Sequence, residues 1–348
     1  MRDFTIAAYQ RLLDTLVSGS HTFQPYAGFL ENPAPRCIIL RHDVEARYGN
    51  ALEMAKIQHE KGIRGTYYFR FLPGHFDTGI IREIAAMGHE IGYHYDDLSH
   101  CKGNYEKAIR RFEKNLATLR EIAPVKTICM EGAPLSKWDN RWLWGKGVQS
   151  SKFKVQSSLN TAHRSPFTAH RSPLTAHSSP FTAHYSDYGI IGEPYFDTDF
   201  SDVFYLTDTG RRWDGKGSVR DKVGQLDSWA VGQLDNWTVG RHNPEPGTWN
   251  PELKFHCTAD IIAAASAGLL PDRIMFTFHP QRWTDRPFPW IKELVMQNAK
   301  NVVKRLVVGR RLAACPGRSE GSNNRTIEQS NNRTIEQLNN RTIEQLNN

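Results

Sequence analysis

The feature that most limits the architecture of this chain is a repeated alternation of short β-rich apolar runs with longer segments of helical period. CIILR at 37–41, GTYYFR at 65–70, EIGY at 90–93, KTICM at 126–130 and IMFTF at 274–278 read as buried strands. Between them, 46–61 brings Ala51, Met54, Ala55 and Gln58 to one helical face, and Gly62 follows as a stop. Residues 78–87 do the same with Ile80, Ile81, Ile84 and Ala85, and 104–122 with Ala108, Phe112, Leu116 and Leu119. Residues 258–268 and 289–308 are the later helices. Strand–helix alternation over this length predicts an α/β fold with a parallel sheet or barrel.

Three near-perfect short repeats interrupt the pattern. TAHRSPF, TAHRSPL and TAHSSPF run through 161–184, VGQLDSWA and VGQLDNWT through 223–240, and NNRTIEQS with its copies through 323–348. Proline in every full copy of the first unit excludes a helical heptad. Such repeats read as translated repetitive DNA, so 151–187 is expected to be a disordered insertion and 311–348 a disordered tail. His163, His170, His177 and His184 follow from the repeat and are not taken as a metal cluster. The expected organisation is an N-terminal helical extension over 1–35 and an α/β body over 36–310, interrupted at 151–187 and 223–240.

The formal charge of +7 is carried by the same segments: 299–348 hold a net +5 and 151–187 a net +3. The body is therefore near neutral, which argues against nucleic acid as a partner. Five cysteines with no C-x-x-C pair suit a reducing compartment better than a disulfide frame. No apolar run reaches membrane-spanning length, and Met1-Arg2-Asp3-Phe4 opens no signal-peptide core. The expected location is cytoplasmic.

In a parallel α/β barrel, functional side chains sit just past the C-terminal ends of strands. Asp43 and Glu45, His94 and Asp97, Glu131, and His279 all fall there. Carboxylates at i and i+2 on extended chain share a side and repel unless a cation lies between them; the same pair also suits a helix N-terminus. A glutamate, a histidine and one further oxygen or nitrogen donor suit zinc or another first-row divalent metal with a position open for water. His279 precedes Pro280-Gln281-Arg282-Trp283; it fits a proton donor to a leaving amine and equally a histidine packed on Trp283. Tryptophans stack on sugar rings or fill cores. Arg212, Trp213, Arg282, Trp283 and Glu131 are the candidates for substrate contact, the arginines for an acidic group.

Leu40-Arg41-His42-Asp43-Val44-Glu45, GTYYFR at 65–70 and GHEIGYH at 88–94 resemble the NodB-homology polysaccharide deacetylase superfamily, in a bacterial branch with an R-H-D-V-D type motif. The resemblance runs from about 36 to 310. It implies a distorted TIM-like (β/α) barrel, a divalent metal and hydrolysis of the acetamide of an N-acetylated sugar. Carried over, Asp43 is the base, Glu45 and His94 are metal ligands, and His279 is the acid. Two positions depart from the pattern. Leu98 stands where the second ligating histidine is usual, leaving Asp97, His100 or a residue from elsewhere in the chain to substitute. Glu131, in Met130-Glu131-Gly132-Ala133-Pro134, stands where close relatives carry histidine. The reading is a metal-dependent deacetylase acting on a carbohydrate or other N-acylated small molecule. The alternatives are a catalytically inactive sugar-binding relative and a C–N hydrolase for a small-molecule amide.

Overall fold

The computed structural model describes residues 2–133 except 73 and 75, then 136–144, 183–213 and 255–313. The repeats at 223–240 and 323–348, and the first repeat up to 182, lie outside the described residues, as does the disorder expected of them. Contacts divide the chain at Arg305, and the architecture below belongs to the unit Met1–Arg305.

Seven parallel strands are described: β1 (Thr22–Phe23), β2 (Cys37–Val44), β3 (Thr66–Phe69), β4 (Glu90–Tyr95), β5 (Ile128–Met130), β6 (Phe204–Thr207) and β7 (Arg273–Phe278). The order is β5-β4-β3-β2-β7-β6, with β1 pairing with the start of β2. The result is a curled, half-barrel α/β sheet. Past β5, Gly192 adds one parallel bridge to Thr127.

Helices cover the outer face: α1 (Ile6–Val17), α3 (Tyr48–Glu60), α4 (Thr78–Ala86), α6 (Tyr105–Arg120) and α8 (Thr258–Ser266); the long α9 (Pro287–Ala313) follows β7 in the chain. Short pieces fill the connections: α2 (Tyr26–Glu31), α5 (Asp97–His100) and α7 (Pro194–Asp197). Local signals set the ends. Asn104 caps α6 by accepting from the Lys107 amide, and Asp77 caps α4 by accepting from Gly79 and Ile80. Ala108, Phe112, Leu116 and Leu119 are all buried on α6, and Ala51, Met54, Ala55 and Gln58 on α3. No described helix is long and apolar enough to cross a membrane.

The strand period of two sorts side chains between the faces. Ile38, Leu40, His42 and Val44 of β2 point into the helix-covered cores, while Cys37 and Ile39 enter a smaller inner cluster with Tyr26, Phe29, Val203 and Met275. Arg41 and Asp43 continue that inner row. Residues 1–35 are built into the body: Tyr9, Leu12 and Leu13 are fully buried in the same core as Ile38 and Phe276, and β1 joins the sheet. Tyr185–Tyr188, which begins inside the segment 151–187, forms a 3-10 turn with Tyr185 buried against Trp144.

One glycine is required by the inner face. A Cβ on Gly92 would lie 2.3 Å from the Tyr68 ring and 2.9 Å from the Thr127 carbonyl. Tyr68 lies across β4 at that point and donates to or accepts from Thr127 Oγ1 at 2.9 Å. The glycine in GHEIGYH, two residues before His94 on the same strand face, thus makes room for the Tyr68 ring.

Candidate metal centre

Four strand ends deliver the site: Asp43 and Glu45 from β2, His94 from β4, Cys129 and Glu131 from β5, and His279 from β7. Two donor groups result. The ligand atoms of Glu45, His94 and Glu131 all lie within 4.8 Å of one another, and so do those of Asp43, His94 and Cys129. Either group could hold a metal ion, and His94 belongs to both.

His94 and Cys129 are in register on neighbouring strands. The His94 Nδ1–H donates to the Cys129 carbonyl at 3.0 Å. That bond turns Nε2 toward the carboxylates, 2.8 Å from Glu131 Oε2 and 4.0 Å from Asp43 Oδ2. Nε2 is buried, with Glu131 as its ion-pair partner. Burial alone would lower the imidazole pKa. Asp43, then Glu131 and Glu45, outweigh it and hold the pKa above its ordinary value. The pocket favours positive charge at this point.

Asp43 is clamped by Arg41, whose Nε donates to Oδ1 at 2.9 Å and Nη2 to Oδ2 at 2.8 Å. Both side chains are buried. Burial raises the carboxyl pKa, but Arg41 and then His94 reverse this and hold it well below the usual carboxylate range. The carboxylate therefore keeps its charge in the pocket.

Glu131 is fixed through its backbone. Its amide donates to the Tyr95 carbonyl at 2.8 Å, and Asn140 Nδ2 donates to its carbonyl at 2.6 Å. The neighbouring Met130 amide donates to Glu193 Oε1 at 2.9 Å. This residue, expected as a substrate contact, stands among the metal donors.

His279 is held by Asp208. Its Nδ1–H donates to Oδ1 at 2.5 Å and its backbone amide to Oδ2 at 2.9 Å. Its Nε2 is buried without a hydrogen bond, 3.6 Å from Glu45 Oε1, which also lacks one. Asp208 further accepts from Arg282 Nη1 at 2.7 Å and Trp283 Nε1 at 2.6 Å. Burial would raise the Asp208 pKa; His279 and Arg282 instead hold it below the ordinary value.

Several expected residues lie elsewhere. Asp97 is not brought to His94: its carboxylate accepts from the Tyr93 hydroxyl at 2.8 Å and pairs with Arg111 at 2.5 Å on the outer face. Burial pushes its pKa up to about 7 despite Arg111. His100 is exposed and Leu98 is core. Arg282 and Trp283 are turned onto Asp208, and neither is open to a substrate. Trp213 is buried in the outer core with its Nε1 donating to Thr258 at 3.0 Å. Arg212 is half-buried on the loop after β6. His42 points away from Asp43, stacked on Tyr67 with ring centroids 4.1 Å apart.

Arg41, Cys129, Asn140, Glu193 and Asp208 were missed. Arg41 had a signal, since it shares the strand parity of Asp43. Cys129 required the β4–β5 register, and Asp208 required recognition of the four-residue strand before it.

The fold and site define an α/β protein with a buried carboxylate–imidazole cluster at the ends of parallel strands. No protein-family model, curated protein or solved structure matches the chain.

Proposed function

We propose that the chain is a metal-dependent amide hydrolase of the carbohydrate deacetylase type, acting on an N-acetylated sugar or a related N-acyl molecule. The observation that carries this is the convergence of Glu45, His94 and Glu131 donor atoms within 4.8 Å of one another, with His279 Nε2 only 3.6 Å from Glu45. The donor set suits the group. Two carboxylates and an imidazole match zinc or another borderline divalent ion, and Glu45 Oε1 is buried without a hydrogen bond. Glu131 supplies the donor that Leu98 cannot. The R-H-D-V-E and G-H-E-I-G-Y-H motifs support the same reading through their resemblance to NodB-homology deacetylases.

A divalent ion bound there supplies Lewis acidity to a carbonyl oxygen and acidifies water. The remaining chemistry belongs to side chains. With Nδ1–H fixed on Asp208, His279 turns Nε2 toward Glu45 and passes a proton there to a leaving nitrogen. Asp208 stabilises the imidazolium, and Arg282 and Trp283 keep Asp208 in place. Arg41 keeps Asp43 ionised beside His94, supplying fixed negative charge to the metal end. Asp43 and His94 are almost wholly buried and Glu45 is the most exposed of the group at 22%. That depth favours a small substrate or a chain end over the middle of a polymer.

Elemental analysis of the purified protein tests the reading. About one equivalent of divalent metal is expected, falling below about a tenth in His94→Ala. The metal-loaded protein should release acetate from N-acetylglucosamine oligomers, and His279→Gln should keep its metal but lose about a hundredfold or more in turnover. A metal-free wild-type protein would sink the proposal. Metal without acetate release would leave a binding protein or a hydrolase for another amide.

A further inference from the structure

We propose that Cys129 is a sulfur ligand of the ion held at His94, making the centre a mixed carboxylate–imidazole–thiolate site that takes zinc or cobalt in preference to magnesium or calcium. This rests on the reading of His94 as a metal ligand and extends it to the other donor group.

The geometry is the first support. Cys129 Sγ lies within 4.8 Å of the donor atoms of both Asp43 and His94. Donors on one tetrahedral zinc, with bonds of about 2.0–2.3 Å, stand roughly 3–4 Å apart, so a small inward shift closes the shell. Thiol and imidazole also share one mounting. The His94 Nδ1–H is bonded to the carbonyl of Cys129 itself, so strand pairing fixes both donors together. The second support is the aim of the imidazole: His94 Nε2 is fully buried, 4.0 Å from Asp43 Oδ2 and 2.8 Å from Glu131 Oε2, so it faces the carboxylates beside Cys129. The Cys129 S–H makes a long bond to the Met130 carbonyl at 3.5 Å, which leaves the sulfur lone pairs free.

Charge is the third support. Arg41 binds both oxygens of Asp43 and offsets part of its charge, so a further anionic donor strengthens the hold on an ion beside Asp43 and His94. Ligation supplies it: the S–H bond breaks, the sulfur binds the ion as thiolate, and the proton leaves to solvent. The contrast with Cys37 is instructive. Cys37 is also buried, but it packs among Ile39, Tyr26 and Met275 and belongs to neither donor group found among the described residues. A thiolate donor selects zinc and similar borderline ions against magnesium and calcium, which want oxygen.

The test is optical and does not depend on turnover. The metal-free protein is titrated with Co(II) as wild type, Cys129→Ser and Cys37→Ser. A thiolate-to-cobalt charge-transfer band in the near ultraviolet is expected in wild type and Cys37→Ser. It should vanish in Cys129→Ser, with the visible cobalt bands retained and the affinity at least about tenfold weaker. Cobalt bound by wild type without the charge-transfer band overturns this proposal alone, as does a band that survives in Cys129→Ser. No cobalt binding by wild type overturns both the proposal and the metal reading beneath it. The wild-type spectrum decides the matter even if a variant does not fold.

Discussion

The two faces of the sheet bury histidines to the same extent and treat them in opposite ways. His42 and His94 are both fully buried in strands. On the outer face, His42 meets the Tyr9 hydroxyl, the Gln58 amide and the Thr66 carbonyl, and its ring stacks between Tyr67 and Phe278. Burial dominates there and lowers its pKa to about 3. On the inner face, His94 meets Asp43, Glu131 and Glu45, and its pKa is raised. The difference lies in the partners, because neutral dipoles cannot repay the desolvation of a cation and carboxylates can. One face thus makes a core from its polar residues, and the other makes a place for positive charge.

The comparison is tested hardest at Asp208, the anion that holds His279 on the inner side. Asp208→Ala leaves the Trp283 indole N–H and the His279 N–H groups buried without their acceptor, and leaves the Arg282 guanidinium with only the residue-208 carbonyl and no counter-charge. Breaking a buried charge pair from one side costs roughly 3–5 kcal/mol, so urea denaturation should show a loss of that size. A change below about 1 kcal/mol would mean that water reaches these groups and that the inner face is less closed than its burial indicates.

The outer histidines predict an effect of pH. The folded pKa values of His42 and His89 are depressed, to about 3 and about 4, chiefly by burial. The unfolded chain takes up these protons near pH 6.5, while the folded chain refuses them. Stability is therefore full above pH 6.5 and is lost as pH falls toward 4, by up to about 1.4 kcal/mol per pH unit for each histidine. His94 has the opposite sign: its raised pKa adds stability below its unfolded value, which is lost as pH rises through the folded one. Urea midpoints across pH 4–8 check this. A flat profile between pH 6.5 and 4 would show that the outer histidines are protonated in the folded protein.

Much of this was legible in the sequence, and the failures have physical causes. Every long element could be read, because a helix such as α6 repeats its apolar face over four turns. β1, β6, α2 and α7 span two to six residues, too few for a period to show. At the site, Asp43, Glu45, His94 and His279 could be placed because each adjoins a strong apolar strand. The role of Glu131 could not, because its approach to His94 depends on backbone bonds from Tyr95 and Asn140, remote in sequence. Asp97 was misplaced by a rule that was available. Three residues after His94, it has the opposite strand parity; Asp96 has the right parity, but its carboxylate is taken by Arg70 and Arg111.

Asp97 therefore gives the finest test of the two-face division, with the smallest expected effect. Its carboxylate accepts two contacts from the Tyr93 hydroxyl and pairs with Arg111, which also binds Asp96. Asp97→Asn keeps the shape and one acceptor, and Arg111 retains Asp96 as a counter-charge. The loss should be about 1–2 kcal/mol, the worth of a charge-assisted hydrogen bond weakened to a neutral one. The pH response adds a signature. Because burial pushes the Asp97 pKa up to about 7, the folded carboxyl holds a proton that the unfolded one has released above pH 4. Its contribution is then fully present below the unfolded pKa and is lost as pH rises through 7, so the cost of the substitution should shift between pH 5 and 8. Metal stoichiometry, by contrast, should be unchanged, since Asp97 belongs to neither donor group found among the described residues. A variant that lost its metal while keeping its stability would return Asp97 to the ligand shell and collapse the distinction between the faces.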